Sequence, residues 1–549
     1  MEYVVNYFWK RIMRRRRLVL LRSPYKKNFN AKSTFIWISS VLLGYEFLIS
    51  VRVMRQYGQY SIYSYFLAAF LQIVPLWSYL ELISVISTSG GLYHYVYAVS
   101  NELVGFLTGW FQILAASTYL VAIANSLAEQ IDSMLFNNNI EKSLKKYLSF
   151  ELSFGAGAYM NDYPNLLRFL IIMTAAAFST AIETANALNT VVFYIILAAI
   201  CCLCILLSAD LNVENFIVPD EKCLSTFFAS YYDTSNVHTT IYCLAYMGGN
   251  VEEAEKNIPR VMLSVFFVTW IVFTALPLMV SLHGHVELTH PKWVISSVIE
   301  QAGGYNLYTA VHVIATCIHC SALFVFFVTL SKIYAAKPNL LLGIVTGILT
   351  MVFAKDLMEK ISKVTQCLLA CIVSVCVMLL RYTDGHAFIM RHKHDKSTIT
   401  EPFEYAGIAV WTLFGSSVAI GCLTSQWTAG YFIIDEFPIT EHPYRLSFAG
   451  FIFIIAAGVL IYQKQNVLRT SFRVPFVPFV PVISIILQSF MFLVIPMNCI
   501  MALGIWTALG LIFYFTYAMQ HSRERLLIAY GSETPLAGMG VKRHWQVWE

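Results

Sequence analysis

Charge is scarce in this chain. Of its 549 residues only 13% are Asp, Glu, Lys or Arg, about half the share of an ordinary soluble domain. So few charged side chains cannot coat a water-soluble fold of this size. Basic residues outside short runs are too few for a nucleic-acid interface, so no nucleic-acid partner is expected. No Asn-x-Ser/Thr acceptor occurs. No short apolar core followed by a small-residue cleavage site marks a signal peptide. Cysteines at scaffold spacing are missing too. Most of the 12 lie inside apolar runs, as in Cys201-Cys202-Leu203-Cys204 and Cys367/Cys371/Cys376, where they read as small packing residues.

Apolar residues are what the chain has. Hydrophobic residues make up 58% and aromatics 15%, with a mean hydropathy of +0.63. Disorder is thereby excluded, and a polytopic membrane protein remains. Fourteen apolar runs are expected to be helices: 34–53, 61–84, 101–126, 166–184, 188–209, 224–248, 261–282, 305–332, 340–354, 361–381, 407–427, 447–462, 476–496 and 498–518. The run at 224–248 is the most polar. An even count puts both termini on one side of the membrane.

Basic residues choose that side. Arg14–Arg17 form a block flanked by Lys10, Arg11, Arg22, Lys26, Lys27 and Lys32, just before the first run. The block is expected to hold the N-terminus in the cytosol and to touch anionic headgroups. With that orientation about 25 of the 37 Lys and Arg lie inside and about 12 outside, the direction of the positive-inside rule. The longest connections are then an outer one at 127–165 and an inner one at 382–406, neither large enough for a domain. The expected organisation is a cytosolic basic segment (1–33), a ten-helix core (34–382), a cytosolic loop (383–406), a four-helix region (407–518) and a cytosolic tail (519–549).

Polar residues inside spans carry the chemistry, because hydrocarbon tolerates them only beside a partner or a wet cavity. The first span contains Ser39-Ser40-Val41-Leu42-Leu43-Gly44-Tyr45-Glu46. Glu46 reads either as facing a cavity, proton path or cation, or as tied to Arg52 or the backbone near a membrane face. Both readings stand. After the second span come Ser89-Gly90-Gly91-Leu92-Tyr93-His94-Tyr95, where two glycines permit a tight turn and the aromatics suit a membrane interface.

Glu81, Ser89-Gly90, Tyr93, Tyr95, Glu102-Leu103, Phe106 and Gly109-Trp110 closely resemble the YAE…SG-x-x-Y-x-Y…GEL-x-x-F-x-x-GW stretch of amino acid permeases, without a gap. Three later stretches resemble the cationic amino acid transporter branch of the amino acid–polyamine–organocation superfamily. These are Gly248-Gly249 through Lys256-Asn257-Ile258-Pro259, the Cys376–Tyr382 stretch, and Arg473-Val474-Pro475-Phe476-Val477-Pro478-Phe479-Val480-Pro481. The resemblance covers nearly the whole chain. It implies an all-α fold of two inverted five-helix repeats plus four C-terminal helices, with the first and sixth helices broken in mid-membrane so that bare backbone can hold an amino acid.

The departures are as telling. Where the family has G-S-x-x-G-x-G, this chain has Ile38-Ser39-Ser40-Val41-Leu42-Leu43-Gly44, and Leu42 adds a branched side chain where backbone should lie bare. The sixth span reads Val237-His238-Thr239-Thr240-Ile241-Tyr242 in place of the family's aromatic–glycine–Phe-Asp stretch. Ser84, Ser87 and Thr88 stand where a proline and basic residues are expected after the second span, and Leu330-Ser331 replace a proline–arginine region after the eighth. Losses fall on the substrate break and the inner gate, while scaffold motifs are kept.

The resemblance implies an amino acid transporter, with arginine or lysine as candidate substrates, working by alternating access without covalent chemistry. Ser39, Ser40 and Gly44 are expected to supply the carboxylate end of the site, and Thr239, Thr240 and Tyr242 the facing side. Glu46 is a candidate cation partner or proton acceptor that the family does not place there. The rival is a non-transporting relative acting as an amino acid sensor or interaction subunit. No cofactor or metal is expected. Cys317-Ile318-His319-Cys320 with His312 resembles a ligand set, but on a packed helix it reads first as core. His386, His392 and His394 read as a solvated loop, and Arg523-Glu524-Arg525-Leu526-Leu527 as a basic helix end. The branch implies the plasma membrane, with an endolysosomal membrane as the other candidate. The oligomeric state is left open.

Overall fold

A computed structural model describes residues 29–57, 60–85, 91–136, 139–148, 160–161, 163–179, 182–208, 211–212, 250–283, 319–328, 339–383, 405–432, 443–466, 470–491 and 497–521, with isolated positions between 227 and 234 and between 313 and 317. Among them there is no named strand, only two isolated bridges, Phe29 with Val251 and Met160 with Phe353. The helices are α1 (Ala31–Tyr57), α2 (Tyr60–Val85), α3 (Gly91–Val99), α4 (Glu102–Phe136), α5 (Asn139–Leu148), α6 (Leu166–Phe178), α7 (Ile182–Leu207), α8 (Ala254–His283), α9 (His319–Val328), α10 (Asn339–Val352), α11 (Lys355–Tyr382), α12 (Ala406–Phe432), α13 (Pro443–Tyr462), α14 (Phe479–Phe490) and α15 (Met497–Phe513). Seven helices among the described residues are long and apolar enough to cross a membrane. The chain is an integral, multi-pass, helical membrane protein.

The axis of the packing is α11. Along its apolar stretch 89% is buried, against 17% for the stretch Asn498–Ala518 at the periphery. Around α11 pack α4, α14, α2, α12, α3 and α15. A second group joins α1 to α8 and α7, and α2 to α8. The outward apolar residues of α13 and α15, such as Phe451, Ile454, Ile505 and Ile512, are exposed, as lipid-facing positions must be.

Close approach of helices is set by glycine where the structure needs it. A Cβ on Gly343 would lie 2.6 Å from the Ala176 Cβ, and one on Gly347 would lie 2.7 Å from Phe169 Cδ2. This Gly-x-x-x-Gly face of α10 is what lets α6 pack against it. Asn161 closes the far end of α10. Its backbone N–H donates to Val352 O at 2.9 Å, and its amide Nδ2 reaches Phe353 O at 2.8 Å and Met351 O at 3.1 Å.

Three expectations are corrected. The first helix runs unbroken from Ala31 to Tyr57, through Gly44. With Leu42 and Leu43 buried in the span and no glycine pair at 42–44, nothing here forces the backbone to unwind. Gly91 does take a left-handed φ of 50°, as a tight turn requires, but of the aromatics after it only Tyr93 and His94 are half-exposed. Tyr95 and Tyr97 are buried, because α3 lies against α4 and α11. Third, α4 extends to Phe136 and α11 begins at Lys355, each beyond its apolar run.

Candidate functional site

Two polar constellations lie inside this helical packing. The first is an ion pair at the end of α2. Glu81 and Arg381 each retain only 2% of their side-chain exposure. Arg381 Nε donates to Glu81 Oε1 at 2.7 Å and Nη2 donates to Oε2 at 2.8 Å. The Val474 backbone N–H adds a third bond, 2.7 Å to Oε2. Desolvating two ions costs several kcal/mol each, which only such saturated geometry offsets.

The chain around the pair is fastened by its own amides. Asn466 N–H donates to Arg381 O at 2.9 Å and its Nδ2 to Thr383 O at 2.8 Å. Ser84 Oγ donates to Phe472 O at 3.0 Å. Gln465 Nε2 bridges Val477 O at 2.7 Å and the Tyr382 hydroxyl at 3.0 Å. The 470–478 segment includes Phe476 at a φ of 50° and a cis Val477–Pro478 bond. Arg473 lies beside the pair. Desolvation first, then the Arg381 charge, pulls its proton affinity down, and Glu81 opposes them.

The second constellation is a scatter of polar atoms buried without hydrogen-bond partners. Among them are Trp37 Nε1 and Ser39 Oγ on α1, and Gln112 Oε1 and both amide atoms of Asn125 on α4. Nearby in kind, Ser321 Oγ on α9 donates to Asn189 Oδ1 on α7 at 2.6 Å. Such atoms suit neutral hydrogen bonding to a polar solute or water; none of those named is an acid or base. Among the described residues no three His, Cys, Asp or Glu cluster as metal ligands. His319 is fully buried while Cys320 faces outward, so this pair does not converge.

The expected site residues fare unequally. Ser39 and Ser40 are both buried, but Ser40 Oγ donates to Ile36 O at 2.9 Å on its own helix, leaving Ser39 as the uncommitted hydroxyl. Gly44 and Glu46 lie on α1, and the surroundings of Gly44 and the side chain of Glu46 fall outside what the structure describes. Thr239, Thr240 and Tyr242 lie outside them altogether. Gln112 and Asn125 were missed; as amides within a long apolar helix they carried the same in-span polar signal as Glu46.

A family model described as the C-terminus of AA_permease matches residues 472–522, beginning inside the segment that supplies Val474 to Glu81. Relatives matching most of the chain are transporters and permeases. The chain is 22% identical to the methylthioribose transporter of Bacillus subtilis, over 85% of this chain and 87% of that protein. It is 21% identical to human cationic amino acid transporter 4, over 85% and 83%. It is also 21% identical to the branched-chain amino acid permease BcaP of Bacillus subtilis, over 84% and 86%. At low identity, these matches support an amino acid–polyamine–organocation superfamily member. Among solved structures, a mutant of the manganese transporter of Eremococcus coleocola is similar at a TM-score of 0.45 and 13% identity, over 78% of this chain and 92% of that one. In this chain Glu81, Arg381 and Val474 come from three separate stretches of sequence and meet at one point.

Proposed function

We propose that the protein carries amino acids across a membrane by alternating access, as a secondary-active or facilitative transporter, with cationic amino acids the first class to test. The observation that carries this reading is the set of orphaned neutral polar atoms on α1 and α4. In a membrane span such atoms are costly unless they meet water or a solute during the working cycle. Ser39 on α1 supplies the carboxylate end of the site with Gly44 leaving room beside it, Thr239, Thr240 and Tyr242 the facing side, and Glu46 the cation partner or proton acceptor. Ser40 plays the weaker part, since its hydroxyl is engaged.

The proposed topology has fourteen spans arranged as two inverted five-helix repeats and a C-terminal four, with both termini cytosolic and the plasma membrane as location. Contacts between distant parts of the chain support it. Phe29 with Val251, Met160 with Phe353, Asn212 with Leu282, and Glu81 with Val474 each join points that fourteen alternating spans put on one face. A cysteine reporter between 150 and 158 that reacts only after permeabilisation contradicts this arrangement.

The second reading is a non-transporting sensor or interaction subunit. The unbroken α1 with buried Leu42 and Leu43 favours it. Uptake of a panel of radiolabelled amino acids by purified protein in liposomes, with pH and sodium varied, separates the two. Saturable uptake of one or more supports transport; ligand-induced thermal stabilisation with no uptake supports the sensor.

A further inference from the structure

The helix α5 has no part in either constellation. It follows α4 after two intervening residues, and its start is tied back: the Ile140 N–H donates to Asp132 Oδ1, in the last part of α4, at 3.1 Å. The helix is therefore tied to the end of α4, one of the helices long and apolar enough to cross a membrane. Its sequence, Asn139-Ile-Glu-Lys-Ser-Leu-Lys-Lys-Tyr-Leu148, is two-sided at a helical period. Ile140, Leu144, Tyr147 and Leu148 fall on one side, and Lys142 and Lys146 fall opposite and are exposed. Ile140 and Leu144 are half-buried. The apolar side then runs off the protein, leaving Tyr147 75% and Leu148 43% exposed. The Lys146 ammonium sits 5.4 Å from the Tyr147 ring.

We propose that α5 lies in the plane of the bilayer surface and binds anionic phospholipid. Tyr147 and Leu148 enter the boundary between headgroups and acyl chains, and Lys142 and Lys146 hold lipid phosphates. Three observations carry this occupant. The helix is tied to the end of a helix long and apolar enough to cross a membrane, its exposed apolar residues continue a stripe that starts against the protein, and its three lysines exceed its one glutamate. A tyrosine ring beside a lysine is the pairing that an interfacial helix uses, ring in the headgroup layer and ammonium reaching to phosphate. An exposed leucine and tyrosine at a span's end would otherwise face water beside a bilayer able to cover them.

The test uses full-length protein in vesicles of phosphatidylcholine, with or without phosphatidylglycerol. Nitroxides on Leu148→Cys and on Lys142→Cys are read against the unsubstituted protein, whose own cysteines give the background. The label at 148 is expected to collide severalfold more with oxygen than with a water-soluble nickel chelate, and the label at 142 to show the reverse. Equal chelate access at both positions overturns the proposal, since the helix then stands in water. A label at 148 shielded from both agents also overturns it, since protein, such as a second copy, then covers the helix. Adding Lys142→Glu and Lys146→Glu should abolish the oxygen preference at 148 in the anionic vesicles; an unchanged preference overturns the phosphate contacts. Hydrogen exchange across 139–148 in the unsubstituted protein gives a label-free readout. Slower exchange with phosphatidylglycerol is expected, and identical exchange in both lipids counts against lipid binding.

Discussion

Arg381 and Glu81, 300 residues apart in sequence, form a two-bonded ion pair at 2.7 and 2.8 Å inside the helix bundle. The pair joins α11, the most buried of the apolar helices, to α2, and through Val474 to the lead-in of α14. Breaking one partner strands a buried charge. Arg381→Met is expected to cost about 3–5 kcal/mol, whereas Glu81→Leu combined with Arg381→Met should recover most of the loss, because an apolar pair needs no desolvation. Thermal unfolding of the single and double variants in detergent measures both. A double variant no more stable than the single would contradict this balance.

Gly347 faces Phe169 too closely for any side chain. Gly347→Val should destabilise the α6–α10 contact by about 1–3 kcal/mol through overpacking. Gly458→Ala on α13, where nothing lies within 4 Å, should leave stability unchanged or slightly higher. Unfolding curves for the two variants check the contrast.

Ser39 and Ser40 contrast an unbonded buried hydroxyl with a committed one. Ser39→Ala should raise the KM for transported amino acids severalfold, a loss of about 1 kcal/mol or more. Ser40→Ala should change KM little, because its hydroxyl already serves Ile36. Initial rates over a range of substrate concentrations decide this. Equal effects would place the site elsewhere.

Asn125 is fully buried with neither amide atom bonded. Asn125→Leu removes a desolvated polar group, so thermal stability should rise by about 1 kcal/mol or more. Uptake should nevertheless fall, since the proposed function gives that amide to water or substrate during the cycle. Higher stability with full uptake would make Asn125 a defect of packing alone.

Sequence alone revealed the helical membrane class, because the scarcity of charge and the length of the apolar runs leave no other fold. It also marked Glu81, Arg381 and Val474, but as separate motif stretches. Nothing in residues 81, 381 and 474 says that they touch, since contact over 393 residues depends on how α2, α11 and the 470–478 segment pack. The Gly343–Gly347 spacing was readable as a close-packing face and went unread, as did the amides at 112 and 125. The stacking of Trp110 on Trp506 at 4.6 Å, with each indole donating to the other's carbonyl at 2.9 and 3.1 Å, depends on a helix–helix approach that no local pattern encodes. The expected break in α1 came from resemblance. The residues that would cause it, bare glycines before position 44, are missing here, and the helix runs on.

Whether this scaffold still carries amino acids is tested most directly by counterflow. Liposomes holding the purified, unsubstituted protein are loaded with unlabelled arginine, lysine or leucine and placed in a trace of the same labelled amino acid. The account predicts that label accumulates transiently above its equilibrium level for at least one of the three, and that protein-free liposomes show no such rise. Label that never exceeds the protein-free level for any amino acid tested would contradict transport and leave the non-transporting reading.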